Sequence, residues 1–131
     1  MKSLLLSIFL ILGISSYSQI IKFQTEAWSI ANFDETTQEF EEWKPWVISE
    51  TVIVFNVPKG IIDVYSKIEQ QYTIISPVAK ENKEGILFYS FDCIDISGIR
   101  CFLEVIQFTN EKYHMYVRWV NFQIVYQMTR L

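Results

Sequence analysis

Residues 85–121 constrain the fold more than any other stretch of this chain. Residues 86–94 (ILFYSFDCI) and 99–108 (IRCFLEVIQF) are rich in β-branched and aromatic side chains. Between them Asp95-Ile96-Ser97-Gly98 carries turn chemistry, so a β-hairpin is expected. With Cys93 opposite Cys101, Phe91 faces Leu103, Tyr89 faces Val105 and Leu87 faces Gln107. The other face pairs Asp92 with Phe102, Ser90 with Glu104, Phe88 with Ile106 and Ile86 with Phe108. A slip of one residue would send the cysteines to different faces. A three-residue loop at 110–112 then returns the chain through 113–121. It sets Val105 opposite Val117, Leu103 opposite Trp119, and Glu104 opposite Arg118 as a cross-strand ion pair. On this register Phe88, Ile106 and Tyr116 form an apolar row, and His114 lies beside Phe108, away from the cysteines.

Residues 1–18 read as a cleaved export signal rather than as part of the fold. Lys2 is a short positive region, residues 4–14 are apolar apart from Ser7 and Gly13, and Ser16 and Ser18 occupy the −3 and −1 positions before Gln19. As a helix that apolar run spans about 16 Å, against roughly 30 Å for a bilayer core, so a membrane anchor is the weaker reading. The expected address is the periplasm or the extracellular space. The remaining 19–131 is one domain, with 10 basic residues against 15 acidic once Lys2 is removed. No basic stripe exists, so nucleic acid is not an expected partner. No later segment is apolar for long enough to span a bilayer as a helix.

Export permits a disulfide, and Cys93 with Cys101 is the expected pair. Chain entropy values so small a ring at roughly 2.5 kcal/mol. Two reduced, buried thiols are the alternative. A metal or redox pair fits poorly, because seven residues separate the cysteines and His114 is the sole histidine.

The rest of the chain reads as further short strands. Residues 20–33 alternate, with Ile21, Phe23, Thr25, Ala27 and Ser29 on one face. In 38–47, Glu39, Glu41 and Glu42 interleave with Phe40, Trp43 and Trp46. Pro45 would break a helix there, and a twisted edge strand tolerates it. Residues 52–57 and 61–66 are strands around a Pro58-Lys59-Gly60 turn. A strand at 69–76, a charged linker at 77–84 and a final strand at 122–128 complete the pattern. The sum is an all-β, single-domain antiparallel meander of about eight strands, a small barrel or a sandwich.

One resemblance accompanies this reading. Lys22-Phe23-Gln24-Thr25, Trp43 and Trp46, Ile53 and Phe55 before a turn and Ile61 to Ser66, Tyr72 with Ile74, and Phe91, Cys93 and Cys101 together resemble a group of small exported proteins of Bacteroidota. A signal ending in Ser18-Gln19 fits that source. The group carries no assigned activity, so the resemblance implies a free-standing exported β-domain and no catalytic residues.

Motifs for chemistry are largely lacking. The sequence has no Gly-rich phosphate loop, no nucleophile elbow and no His-Glu-x-x-His. Asp63, Asp92 and Asp95 are candidates for a hydrolytic pair by residue type alone, and local turn bonding explains them more simply. Glu39, Glu41 and Glu42 read as a solvated face, and His114 as a half-exposed strand histidine. The aromatic content is the sharper signal. Trp43 and Trp46 stand in a polar segment and, with Phe88, Ile106 and Tyr116, are the expected binding surface. No enzyme activity, cofactor or metal is expected. The leading expectation is an exported β-domain that binds a protein partner or a small apolar or glycan ligand. A structural subunit of an envelope complex comes second and a small hydrolase third.

Overall fold

A computed structural model describes residues 20–109 and 111–131. The expected signal at 1–18 lies outside them. Among the described residues ten strands form: β1 (Ile20–Asp34), β2 (Glu39–Phe40), β3 (Val47–Ile48), β4 (Val52–Asn56), β5 (Ile61–Tyr65), β6 (Gln70–Lys83), β7 (Ile86–Ile94), β8 (Arg100–Gln107), β9 (Lys112–Arg118) and β10 (Phe122–Arg130). From β4 onward each strand pairs antiparallel with the next, and β1 pairs with both β4 and β10. β1 and β4–β10 therefore close an eight-stranded up-and-down barrel. Closure removes the Val- and Phe-rich edges that an open sheet would expose. No helix among the described residues is long and apolar enough to cross a membrane.

Alternation fills the interior. Phe55, Tyr72, Phe91, Leu103 and Met115 are buried together in one core. At the end carrying Ile20 and Gly85, Phe23 packs edge-on to Phe55 and Tyr113, with ring centroids 5.5 and 4.9 Å apart. Offset and edge-on ring pairs of this kind add to the area they bury. The opposite end carries an open recess.

β1 does not keep one face throughout. Its pairing with β10 shifts between Thr25 and Ala27, which leaves Glu26 as a bulge. Ile21, Phe23 and Thr25 point inward, as alternation predicts. Beyond the bulge Trp28 pairs with Tyr126, Ile30 pairs with Ile124, and Trp28 packs against the core. Ala27, Ser29 and Ala31 thereby turn outward, yet remain buried. Residues 41–48 cover them, lying along β1 as an irregular strap. Lys44 N donates to Ile30 O and Glu41 N donates to Asn32 O (2.9 and 2.7 Å). Ser29 Oγ donates to Lys44 O. The edge strand expected over 38–47 is reduced to the short pairings of β2 and β3, with 41–46 irregular between them.

The register of β7 and β8 matches expectation, with Cys93 opposite Cys101 and Phe88 opposite Ile106. The β8–β9 register differs by two residues: Val105 faces Met115, Leu103 faces Val117 and Glu104 faces Tyr116. The turn closes one residue earlier than expected, with Phe108 N donating to Lys112 O. A two-residue slip preserves the faces, so β9 still points Met115 and Val117 inward. The Glu104–Arg118 ion pair forms on the diagonal at 3.2 Å instead of directly across. The apolar row becomes Phe88, Ile106 and His114, with Tyr116 displaced to the next rung.

Two further expectations are corrected. Residues 77–84 are not a linker, because β6 runs on to Lys83. Its register shifts between Ile74 and Ser76 and between Pro77 and Ala79. Irregularities of this kind let a strand carry a proline, which cannot donate to the ladder. The disulfide is absent: Cys93 and Cys101 are separate buried thiols. Directly opposed residues hold their Cβ atoms about 4.5–5.5 Å apart, whereas a bridge favours about 3.8 Å. Burial pushes the Cys101 thiol up to about 12 and raises Cys93 further, so neither is a ready thiolate. Ellman's reagent is accordingly expected to titrate both thiols in denaturant and neither promptly in the folded protein. Unfolded, unreduced protein that yields no thiol would restore the bridge.

Candidate functional site

The open end of the barrel gathers the turns β5–β6, β7–β8 and β9–β10. There the turns line an open recess of about 280 Å³. Its walls are Tyr72, Ile124, Trp119 and Phe122, its rim is Ile68 and Ile96, and its polar members are Gln70, Gln71 and Asp95.

Local hydrogen bonding fixes each wall. Asp95 closes the β7–β8 turn: its Oδ1 accepts from Ser97 N and Ile99 N, both at 2.9 Å. Gly98 sits at φ 84°, where an added Cβ would meet nothing, so the requirement for glycine is conformational and not one of space. Asp95 Oδ2 accepts from Trp119 Nε1 at 3.0 Å. Trp119 N donates to Phe122 O at 2.9 Å. The resulting tight turn stacks the two rings 4.4 Å apart and 10° from parallel. Burial pulls the Asp95 carboxyl upward, but the bonds from Ile99, Trp119 and Ser97 outweigh it and hold the group below its ordinary value. Deeper in, Gln70 Oε1 accepts from Tyr72 Oη (2.7 Å) and Tyr126 Oη (3.0 Å). Burial raises both phenols, Tyr126 to about 12, so they act as neutral donors. With its carbonyl engaged twice, the Gln70 amide has a fixed orientation, and its Nε2 donates at 3.4 Å to Ser66 Oγ.

The mouth can hold a small apolar body against an aromatic wall and offer it few polar contacts. It is poorly equipped for hydrolysis, since Asp95 is the single carboxylate in its lining. Asp63 is engaged by Gln71 Nε2 at 2.9 Å. Among the described residues no group of three or more His, Cys, Asp or Glu could hold a metal ion.

The surface expected from sequence lies elsewhere, on the outside of the barrel. Trp43 of the strap meets Tyr116 edge-on at 5.9 Å, and Trp46 meets His114 at 6.3 Å. Trp43 and Trp46 are exposed. Ile106 is buried opposite His114, and Phe88 lies one strand further on beneath Lys83 Nζ, 5.6 Å from its ring centre. The structure thus brings Trp43, Trp46 and Tyr116 together, with Ile106 beneath and Phe88 at the margin. Arg118 stacks over Tyr116 at 4.7 Å while pairing with Glu104. The mouth residues Gln70, Tyr72, Asp95 and Trp119 were not singled out as a binding site. The available signal was Trp119 and Phe122 bracketing a turn, an aromatic pair at a position that usually carries polar residues.

His114 is packed among Phe108, Trp46 and Tyr116, and its Nδ1 is buried without a hydrogen-bond partner. Burial lowers its pKa. The unfolded chain therefore takes up a proton that the folded chain resists. Stability from this site is fully present above about 6.5 and is lost as pH falls through the lower folded value. The urea midpoint should fall between pH 8 and pH 5, and it should fall less in a His114→Phe variant. An equal drop in both proteins would assign the acid sensitivity to other groups.

Comparisons of the chain with family models, with curated proteins and with solved structures return no match.

Proposed function

We propose that this protein is an exported, non-catalytic binding barrel that holds one small, mainly apolar ligand in the mouth between Tyr72, Trp119 and Phe122. The observation that carries this reading is a recess of about 280 Å³ where the β5–β6, β7–β8 and β9–β10 turns meet, walled by Tyr72, Trp119 and Phe122. Eight-stranded barrels have room inside for side chains or for one small ligand. A volume just under the roughly 300–1,000 Å³ typical of drug-sized sites suits a one- or two-ring molecule. The walls are held before any ligand arrives: the Trp119 ring is fixed by Asp95 and Phe122, and Gln70 by two tyrosines. Such preorganisation lowers the entropy cost of binding. The export signal read in residues 1–18 supports a periplasmic or extracellular address.

A second reading, an assembly interface, rests on the strap. Trp46, Val47 and Ile48 are 45%, 44% and 81% exposed and adjoin one another. Apolar neighbours exposed together are characteristic of contact surfaces.

Titration with the neutral two-ring fluorophore prodan, a naphthalene derivative, separates the two readings. Saturable one-to-one binding is expected. It should weaken about tenfold or more in Trp119→Ala and in the rim variant Ile68→Arg, and persist in Trp43→Ala/Trp46→Ala. Loss confined to the strap variant would overturn the assignment to the mouth.

A further inference from the structure

The charge of the mouth narrows its ligand. Asp95 is half-buried and is the only ionisable carboxylate or base among the cavity-lining residues. Its three donors are all neutral: two backbone N–H groups and the indole of Trp119. The ion pairs among the described residues are Lys83–Glu81, Lys112–Glu26 and Arg118–Glu104, none of which involves Asp95. Lys67, Glu69 and Arg100 lie in or beside the same turns but are exposed and do not line the cavity. The two carboxylate oxygens have separate duties. Oδ1 accepts both backbone bonds of the turn, and Oδ2 accepts one bond, from Trp119 at the cavity wall. An Asx turn is complete with Oδ1 alone, so Oδ2, with a single donor, keeps capacity to accept a further hydrogen bond.

A carboxylate drawn partly out of water with no cation beside it leaves negative potential in an apolar recess. The one face of Trp119 and of Phe122 that their mutual stacking leaves uncovered adds to it where it lines the recess, because an aromatic face is the negative side of the ring quadrupole. Tryptophan is the strongest of the cation–π partners. From this geometry, and resting on the mouth being the binding site, we infer that the ligand is cationic: an aromatic or short aliphatic body carrying a protonated amine. The amine donates to Asp95 Oδ2 while the body lies along Trp119 and Phe122. An anionic ligand of the same shape meets Asp95 as a like charge and is rejected.

Three indoles of similar size test this by isothermal titration calorimetry at low salt: tryptamine (cation), 3-methylindole (neutral) and indole-3-acetate (anion). The wild-type protein is expected to bind tryptamine at least tenfold more tightly than indole-3-acetate, with 3-methylindole between them. Asp95→Asn keeps an acceptor for the turn and should bring all three within about threefold, the loss expected of one charge-assisted bond. Trp119→Phe removes the neutral donor from Oδ2 but keeps a ring. There the preference for the cation should persist even if overall affinity falls. Binding of 3-methylindole with no preference for tryptamine would overturn the charge inference while leaving the mouth as the site. A cation preference that survives Asp95→Asn would overturn the role of Asp95. Failure of all three to bind would overturn the mouth reading and this inference together.

Discussion

Closure of the barrel depends on a single strand, β1, serving two neighbours. Its first five residues pair with β4, while most of its length pairs with β10. The bulge at Glu26 lets one strand do this without sending apolar side chains into water. Before it, Ile21 and Phe23 face the core. After it, Trp28 and Ile30 take over the inward side and β1 shows Ala27, Ser29 and Ala31 to the outside. Glu26 itself is tied down by Thr129 Oγ1 and Lys112 Nζ, contacts that hold its carboxyl below the ordinary range. A straight strand would leave Trp28 outside and small residues inside, with a void where the core now packs.

The strap follows from the same inversion. Three small outward residues in a row make a shallow trough, and 41–48 lie in it. Thr25 fixes where the strap rejoins the barrel: its hydroxyl donates to Ser49 O and accepts from Thr51 N, both at 2.8 Å. Beyond the strap the sheet ends at β2, an edge carrying Glu39, Glu41, Glu42 and Pro45 nearby. Charge and proline are the usual means of preventing such an edge from recruiting another strand. The acidic run is thus explained as edge protection, and the tryptophans beside it as a cover for the barrel's outer face.

Much of the fold was legible in the sequence because alternation and turn chemistry are local. The β7–β8 hairpin could be registered residue by residue from Asp95, Gly98 and the two cysteines. The β8–β9 turn could not, because 108–112 offers more than one three-residue closure and a two-residue change of register leaves every side chain on the same face. The bulge at Glu26 was invisible for a related reason. Ala27, Ser29 and Ala31 are buried, so the pattern still alternates, although the burying surface has changed from core to strap. The strand character of 77–83 was masked by Pro77, which reads as a stop unless the neighbouring register shifts are known. Of the residues expected from sequence to form a binding surface, Trp43 meets Tyr116 and Trp46 meets His114 on the outer face. The mouth was missed because its residues come from three separate turns that only closure brings together.

Function divides along the same line. The cysteines lie in the interior, the strap covers the outer wall, and the open end brings together space, aromatic side chains and a carboxylate that has no ion-pair partner among the described residues. The chain contains four tryptophans, three of them outside the mouth lining. Their indole N–H resonances in ¹⁵N-labelled protein therefore report where a ligand lands. Titration with tryptamine should shift the Trp119 resonance and leave those of Trp43 and Trp46 in place. Shifts confined to Trp43 and Trp46, with Trp119 unmoved, would contradict the account and move the site to the strap.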